Sequence, residues 1–188
     1  MGTAGNRRRV LVIQGSLRVG GHTAHLCHEL TDCLPEECFA ISYIHLGQQR
    51  ILPCLGCRAC RANGGQCVQK DDMQGIYPLL QQAQELIVAS PVYFYNFTAS
   101  MKLFMDRTYA LRHSWPATRV HLLLTAHANA ADCEPLEALF QRYVACFPRM
   151  LLGGVLIAGG MEPALDAELP ADVAAKAHAL AQHIAETE

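Results

Sequence analysis

Residues 13–23, Ile-Gln-Gly-Ser-Leu-Arg-Val-Gly-Gly-His-Thr, gather two hydroxyls, one guanidinium and an adjacent glycine pair in one short stretch. Ser16 and Thr23 supply hydroxyl donors, and Arg18 supplies a planar fork suited to phosphate oxygens. Gly20 and Gly21 let the backbone curl and approach a ligand closely. An apolar run, Val10–Ile13, leads in, and a helix-compatible stretch from Thr23 leads out. The N–H groups and positive dipole end of a helix start can then converge with these side chains on one anion. Alone, the loop leaves two readings: a phosphate cradle, or an ordinary strand-to-helix turn in which Thr23 merely caps the helix. No Gly-Lys-Ser/Thr follows, and the spacing is not G-x-G-x-x-G, so a mononucleotide phosphate suits it better than a Walker or dinucleotide site.

A second chemical stretch is Ser90-Pro91-Val92-Tyr93-Phe94-Tyr95-Asn96-Phe97. A flat heterocycle needs backbone polar groups at its edge and aromatic surface against its faces, and this segment carries both. The alternative is that the aromatics only cover a sheet edge. The third is Cys54-Leu-Gly-Cys57-Arg-Ala-Cys60 with Cys67 beyond, a C-x2-C-x2-C-x6-C spacing. Thiolates at this spacing can cap separate irons of one cubane cluster, whereas zinc sites pair two knuckles across a longer stretch. Cys27, Cys33, Cys38, Cys133 and Cys146 fall on expected helices, strands or their ends and read as small buried hydrophobes. Lys102, Asp106 and Arg107 read as a solvated or ion-paired helix face. No nucleophile–histidine or paired-carboxylate arrangement asks for a catalytic role.

The elements that must position these residues follow from apolar periodicity. Val10–Ile13, Phe39–Leu46, Glu85–Ser90, Val120–Ala126 and Met150–Ala158 read as strands. Thr23–Leu34, a helix opened by Asp71-Asp72, Thr98–Leu111, Pro135–Phe147 and Ala171–Glu186 read as helices. The apolar set of the second of these is Ile76, Leu79, Leu80 and Ala83. Residues 47–70 lack any period and hold four cysteines, and a loop of that length in a compact domain is usually functional. Strands alternating with helices predict a parallel sheet covered on both faces, α/β in class. Ligands of such sheets sit beyond the carboxyl ends of the strands where strand order reverses, which selects loops 14–23, 90–97 and 126–132 as one site.

At 188 residues, 51% apolar and 17% charged, the chain reads as one globular domain spanning 1–188, with 47–70 as an insertion. A net charge of −2 offers no argument for nucleic acid or an anionic membrane as partner. No run of about 18 apolar residues predicts a membrane helix. Met1–Asn6 lacks the apolar core of a signal peptide, so the expected location is cytoplasmic, and nine cysteines there are not a disulfide framework.

Gly-Ser-Leu-Arg-Val-Gly-Gly-His-Thr resembles the G-S-x-R-x-x-G-x-T phosphate loop of the NAD(P)H-dependent FMN reductase superfamily. Ser90–Arg107 is similar to that family's S-P-V-Y…K-x-F-x-D-R segment, and the ordered match spans most of residues 10–107. The resemblance implies a flavodoxin-like three-layer αβα sandwich with strand order 2-1-3-4-5. It implies FMN held at its phosphate by Ser16, Arg18 and Thr23, with Gly21 and His22 in the same loop; His22 stands where the family often has Asn. Pro91, Val92, Tyr93, Phe94, Tyr95 and Asn96 would meet the ribityl chain and ring. Ala126 and His127 occupy the third ring-contacting loop, where the family shows T-x-G and this chain reads Thr125-Ala126-His127.

The cysteine segment is similar to that of the iron–sulfur flavoprotein branch, which implies Cys54, Cys57, Cys60 and Cys67 as ligands of a 4Fe–4S cluster. Cluster-free members also show P-C-x-G-C-x-x-C…C-x-x-x-D-D-M, which Pro53–Met73 matches as well, so both forms stay open. The implied activity is an FMN-dependent oxidoreductase taking hydride from NAD(P)H and reducing a quinone, flavin, nitro- or azo-aromatic acceptor. The alternative is an electron carrier reduced by ferredoxin through the cluster. A homodimer or homotetramer is implied in either case. A non-redox phosphate-binding module is the third reading.

Overall fold

The computed structural model describes residues 7–162 and 168–187; Met1–Asn6 lies outside the described residues. The element order is β1 (Arg8–Gln14), α1 (His22–Thr31), β2 (Phe39–His45), α2 (Ala59–Ala62), α3 (Met73–Gln82), β3 (Glu85–Pro91), α4 (Ala99–Arg107), β4 (Thr118–Thr125), α5 (Glu134–Val144), β5 (Met150–Ala158) and α6 (Ala171–Glu186). All four strand pairings are parallel, in the order β2-β1-β3-β4-β5. This is the flavodoxin-like α/β sheet, and its order reverses between β1 and β3.

Side-chain alternation along the strands divides the core in two. Val10, Val12, Ile87, Ala89 and Leu123 face Leu26 and Leu30 of α1 and Val173, Ala177 and Ile184 of α6. Leu11, Ile13, Leu86, Val88, Leu122 and Leu124 face the side covered by α3, α4 and α5. β3 is buried along almost its whole length, as a central parallel strand must be.

Three sequence expectations change. Residues 47–70 contain the one-turn α2, and Arg58 before it takes a left-handed backbone (φ 59°). On α3 the buried stripe is Met73, Ile76, Tyr77 and Leu80, while Leu79 faces solvent. Successive helix positions are about 100° apart, and the face centred on Met73, Ile76, Tyr77 and Leu80 leaves Leu79 on its solvent side. Cys27 and Cys133 are buried as expected, but Cys33, Cys38 and Cys146 are exposed. No helix among the described residues is long and apolar enough to cross a membrane.

The sheet's amino end carries a buried ion cluster. Glu85, 2% exposed, accepts from Arg119 Nη1 at 2.9 Å and His121 Nε2 at 2.8 Å, and Arg8 Nη1 lies 3.5 Å away. Val120 pairs with Leu152 and His121 with Gly154, so Gly153 is an extra residue in β5. A Cβ at Gly153 would stand 2.4 Å from His121 Cε1, and the glycine therefore makes room for the buried imidazole.

Candidate cofactor site

The loop after β1 is held from below. Gly15 N–H donates to Ala89 O at 2.8 Å, and Gly15 O accepts from Thr98 Oγ1 at 2.8 Å and Ser100 Oγ at 3.1 Å. A Cβ on Gly15 would lie 2.9 Å from Met101 Cε and 3.1 Å from Met101 Cβ, so a larger residue here would have to displace the methionine by which α4 presses on the loop. Ser16 Oγ accepts from Arg18 N–H at 3.1 Å, and His45 Nε2 donates to Arg18 O at 3.3 Å. α1 starts after Gly21 with no side-chain cap and no acid in its first turn. Its leading amides are left for an external acceptor, the arrangement an anion at a helix start uses.

The segment after β3 closes on itself. Tyr93 and Asn96 exchange backbone hydrogen bonds at 2.9 and 3.0 Å, and Phe94 and Tyr95 sit at the tip with φ of 50° and 57°. Such a tip aims its two side chains outward, and Phe94 is fully exposed. Two non-glycine residues in left-handed backbone cost about 1 kcal/mol or more each, which marks the tip as a built feature. Asn96 turns its Oδ1 back onto Phe97 N–H at 2.8 Å.

The loop after β4 is tied to the end of β5. Ala126 N–H donates to Ala158 O and Met161 N–H to Ala126 O, each at 2.8 Å. His127 Nδ1 donates to Met161 O at 3.2 Å, which assigns the proton to that nitrogen. Thr23 Oγ1 and Thr125 Oγ1 share a 2.7 Å hydrogen bond, joining α1 to β4 across the sheet.

Between these three loops lies a cavity of about 310 Å³ at the switch point. Ser16, Arg18, Gly21, His22, Thr23, Pro91, Val92, Tyr93, Ala126 and His127 all line it. Phe94, Tyr95 and Asn96 do not; the 93–96 turn carries them outside. Thr125, Met161 and Glu162 line it without having been singled out. Thr125 was findable as the last residue of a strand beside the reversal point. Met161 and Glu162 arrive through β5 pairing and carry no local signal.

The four loop cysteines lie within electrostatic reach of one another, Cys54, Cys57 and Cys67 all acting on Cys60, but they do not close into a ligand shell. Cys54 and Cys57 are exposed, Cys60 and Cys67 half-buried, and none is in a disulfide. Among the described residues no group of three or more His, Cys, Asp or Glu is gathered to hold a metal ion. The thiol chemistry of Cys54, Cys57, Cys60 and Cys67 suits an iron–sulfur cluster, but their arrangement here does not. Burial, followed by the neighbouring Cys67, pushes the Cys60 thiol up.

A charged residue sets that loop's ends. Arg107, read as part of a solvated or ion-paired helix face, is ion-paired but buried, with its guanidinium on the Asp71 carboxylate, on Leu52 O at 2.9 Å and on Cys67 Sγ at 3.4 Å. Lys102 and Asp106 do form the expected exposed pair, at 2.7 Å.

The family model for NADPH-dependent FMN reductase matches residues 8–161. An iron-sulfur flavoprotein of Archaeoglobus fulgidus is 37% identical over 101 residues, 54% of this chain and 46% of that protein. The chain spans about half the length of the curated relatives it matches. Among solved structures, an NAD(P)H:quinone oxidoreductase from Methanothermobacter marburgensis superposes with a TM-score of 0.71 at 16% identity, covering 97% of this chain and 99% of that one. An FMN-dependent NADH-azoreductase from Bacillus anthracis in complex with FMN superposes at 0.66 with 12% identity, covering 95% and 100%. At these identities the structural likeness speaks for the fold alone.

Proposed function

Since the chain belongs to the NADPH-dependent FMN reductase family, we propose that its switch-point cavity holds FMN and that the protein oxidises NAD(P)H to reduce a small acceptor. The observation that carries this is the convergence of the β1, β3 and β4 loops on one cavity beside an uncapped helix start. Ser16, Arg18, Thr23 and the leading amides of α1 would take the phosphate, with Gly21 and His22 beside them. Pro91–Tyr93, Ala126 and His127 would border the ring. When bound, the flavin supplies hydride acceptance, and the protein binds, orients and shields it. The Thr23–Thr125 hydrogen bond keeps the phosphate loop in register with the ring loop.

The Ser16→Ala/Arg18→Ala double variant is expected to lose about a hundredfold in FMN affinity, measured by flavin fluorescence titration. Full flavin occupancy in that variant would sink the assignment. Anaerobic NADH or NADPH should bleach the bound flavin of the parent protein.

His22 adds a proton-linked prediction. Burial, then His25 and Arg18, hold its imidazole below the usual histidine range. A bound phosphate dianion acts in the opposite sense. FMN binding near about pH 6.5 is therefore expected to take up part of a proton at His22. Calorimetry in two buffers of different ionisation enthalpy reads the uptake, and His22→Gln should remove it.

The exposed apolar residues at the mouth, Leu17, Val19, Phe94 and Tyr95, support a second copy covering the site as homodimer or homotetramer. Nine cysteines free of disulfides suit a reducing cytoplasm. A second reading, an iron–sulfur electron carrier reduced by ferredoxin, is favoured by the A. fulgidus relative and the cysteine spacing. Iron and acid-labile sulfide in anaerobically purified protein would support it; a flavin spectrum without iron would reject it.

A further inference from the structure

Beneath the cysteine loop lie two adjoining cavities of about 580 and 410 Å³ whose walls share Tyr109 and Arg112. Neither shares a lining residue with the switch-point cavity. The larger has an apolar wall of Met105, Tyr109, Tyr143 and Phe147. Its charged members are Arg58, Arg112 and Asp106; the smaller adds Arg61 and the imidazole of His113. Asp106 is taken by Lys102 at 2.7 Å. Arg112 is tethered through Nε to Cys146 O at 3.2 Å, which leaves its terminal nitrogens for another acceptor. Among the described residues no carboxylate pairs with Arg58, Arg61 or Arg112. Arg58, in left-handed backbone, lines the larger cavity from the exposed loop.

Aromatic walls below uncompensated guanidiniums select a flat apolar body bearing one anionic group, because the ring is desolvated against the wall while the fork takes both oxygens. We propose that this double cavity binds an aromatic carboxylate, its ring on the Tyr109–Tyr143–Phe147 wall and its carboxylate on Arg112 and Arg58. Within that wall the Tyr143 and Phe147 rings lie 5.1 Å apart, centroid to centroid, and Tyr109 lines the same cavity. The assignment stands whether or not FMN occupies the other cavity.

Trp115, the chain's one tryptophan, is buried edge-on against Phe147 at 5.1 Å, so its fluorescence reads this wall. Titrating 4-nitrobenzoate, an indole quencher, into the protein as isolated is expected to give saturable quenching. The neutral isostere 4-nitrobenzamide should bind at least about tenfold more weakly, the size of a lost charge-assisted hydrogen bond. Arg58→Met and Arg112→Met should each weaken nitrobenzoate by about tenfold, with flavin content unchanged. Arg58 is on the exposed loop, so Arg58→Met decides the matter if Arg112→Met fails to fold. Absence of saturable quenching, equal affinity for the amide, or an Arg58→Met variant that binds like the parent would each overturn the proposal. A parent protein that binds no FMN yet shows the expected quenching would leave this site standing and remove only the flavin assignment.

Discussion

Arg107→Met is expected to destabilise the protein by about 3–5 kcal/mol, the usual result of stripping one partner from a buried ion pair. The side chains of Arg107 and Asp71 are 1% and 2% exposed. The pair is bidentate, with Arg107 Nη2 on Asp71 Oδ1 at 3.1 Å and Nη1 on Oδ2. Methionine fills much of the volume but leaves the Asp71 carboxylate buried with only backbone donors, Leu52 N–H at 2.8 Å and Met73 N–H at 3.2 Å. It also releases Leu52 O and Cys67 Sγ, which Arg107 holds at opposite ends of the cysteine loop. Urea denaturation checks the stability, and faster thiol labelling of Cys67 in the folded variant checks the loop. The pair also predicts an acid response. Burial pushes the Asp71 carboxyl up, but the Arg107 hydrogen bond and the Leu52 and Met73 amides outweigh it and hold it below the ordinary carboxylate range. Its contribution is thus present above the unfolded carboxyl value of about 4 and is lost as pH falls through the lower folded value. Asp71→Asn should flatten stability in that acid window.

How much of this was legible depends on whether the signal was local. Strand runs such as Leu86–Ala89 and the glycine-flanked Ser16–Thr23 loop declare themselves, because period, residue type and turn chemistry act over a few positions. Arg107 did not, since Lys102, Asp106 and Arg107 are equally charged on paper. The clue lay in spacing: Arg107 follows Phe104 by three residues and so shares the buried stripe, as its burial with Met101, Phe104 and Met105 confirms. Phe94 and Tyr95 carried an aromatic signal suited to a ring, yet the Tyr93–Asn96 turn sends them outward, and backbone pairing overrides side-chain type. The cysteine spacing suited a cluster, but spacing measures contour and not distance. Left-handed backbone at Gly56 and Arg58, followed by the α2 turn, decides where the thiols go. Met161 and Glu162 reach the cavity only through the β4–β5 register, a long-range fact with no local trace.

Glu85→Gln is expected to cost about 3 kcal/mol, because this one carboxylate organises two arginines and a buried imidazole at the end of the sheet opposite the cofactor cavity. His121 is fully buried and its Nε2 must be the donor to Glu85, since the carboxylate only accepts; its Nδ1 has no partner among the described residues. Glutamine keeps the shape but removes the charge, and its amide nitrogen must face either the His121 or the Arg119 donor. Arg8 and Arg119 do more than answer Glu85. Arg8 donates to the carbonyls of Ile184 and Thr187 and stacks over Phe39 at 4.6 Å, and Arg119 donates to Thr187 O at 3.3 Å. These carbonyls terminate α6, where a helix favours cations. Glu85 therefore holds the two arginines that fasten α6 to β1 and β4. The substitution should lower the denaturation midpoint and speed hydrogen exchange at the last turn of α6 more than in β3. Uniformly faster exchange would mean that Glu85 contributes to global stability without fastening the helix. Because the cluster and the cofactor cavity lie at opposite ends of the strands, flavin affinity per folded molecule should be unchanged in Glu85→Gln. That separates a loss of fold from a loss of site: the Ser16/Arg18 variant should lose flavin at parental stability, and Glu85→Gln should lose stability at parental flavin affinity.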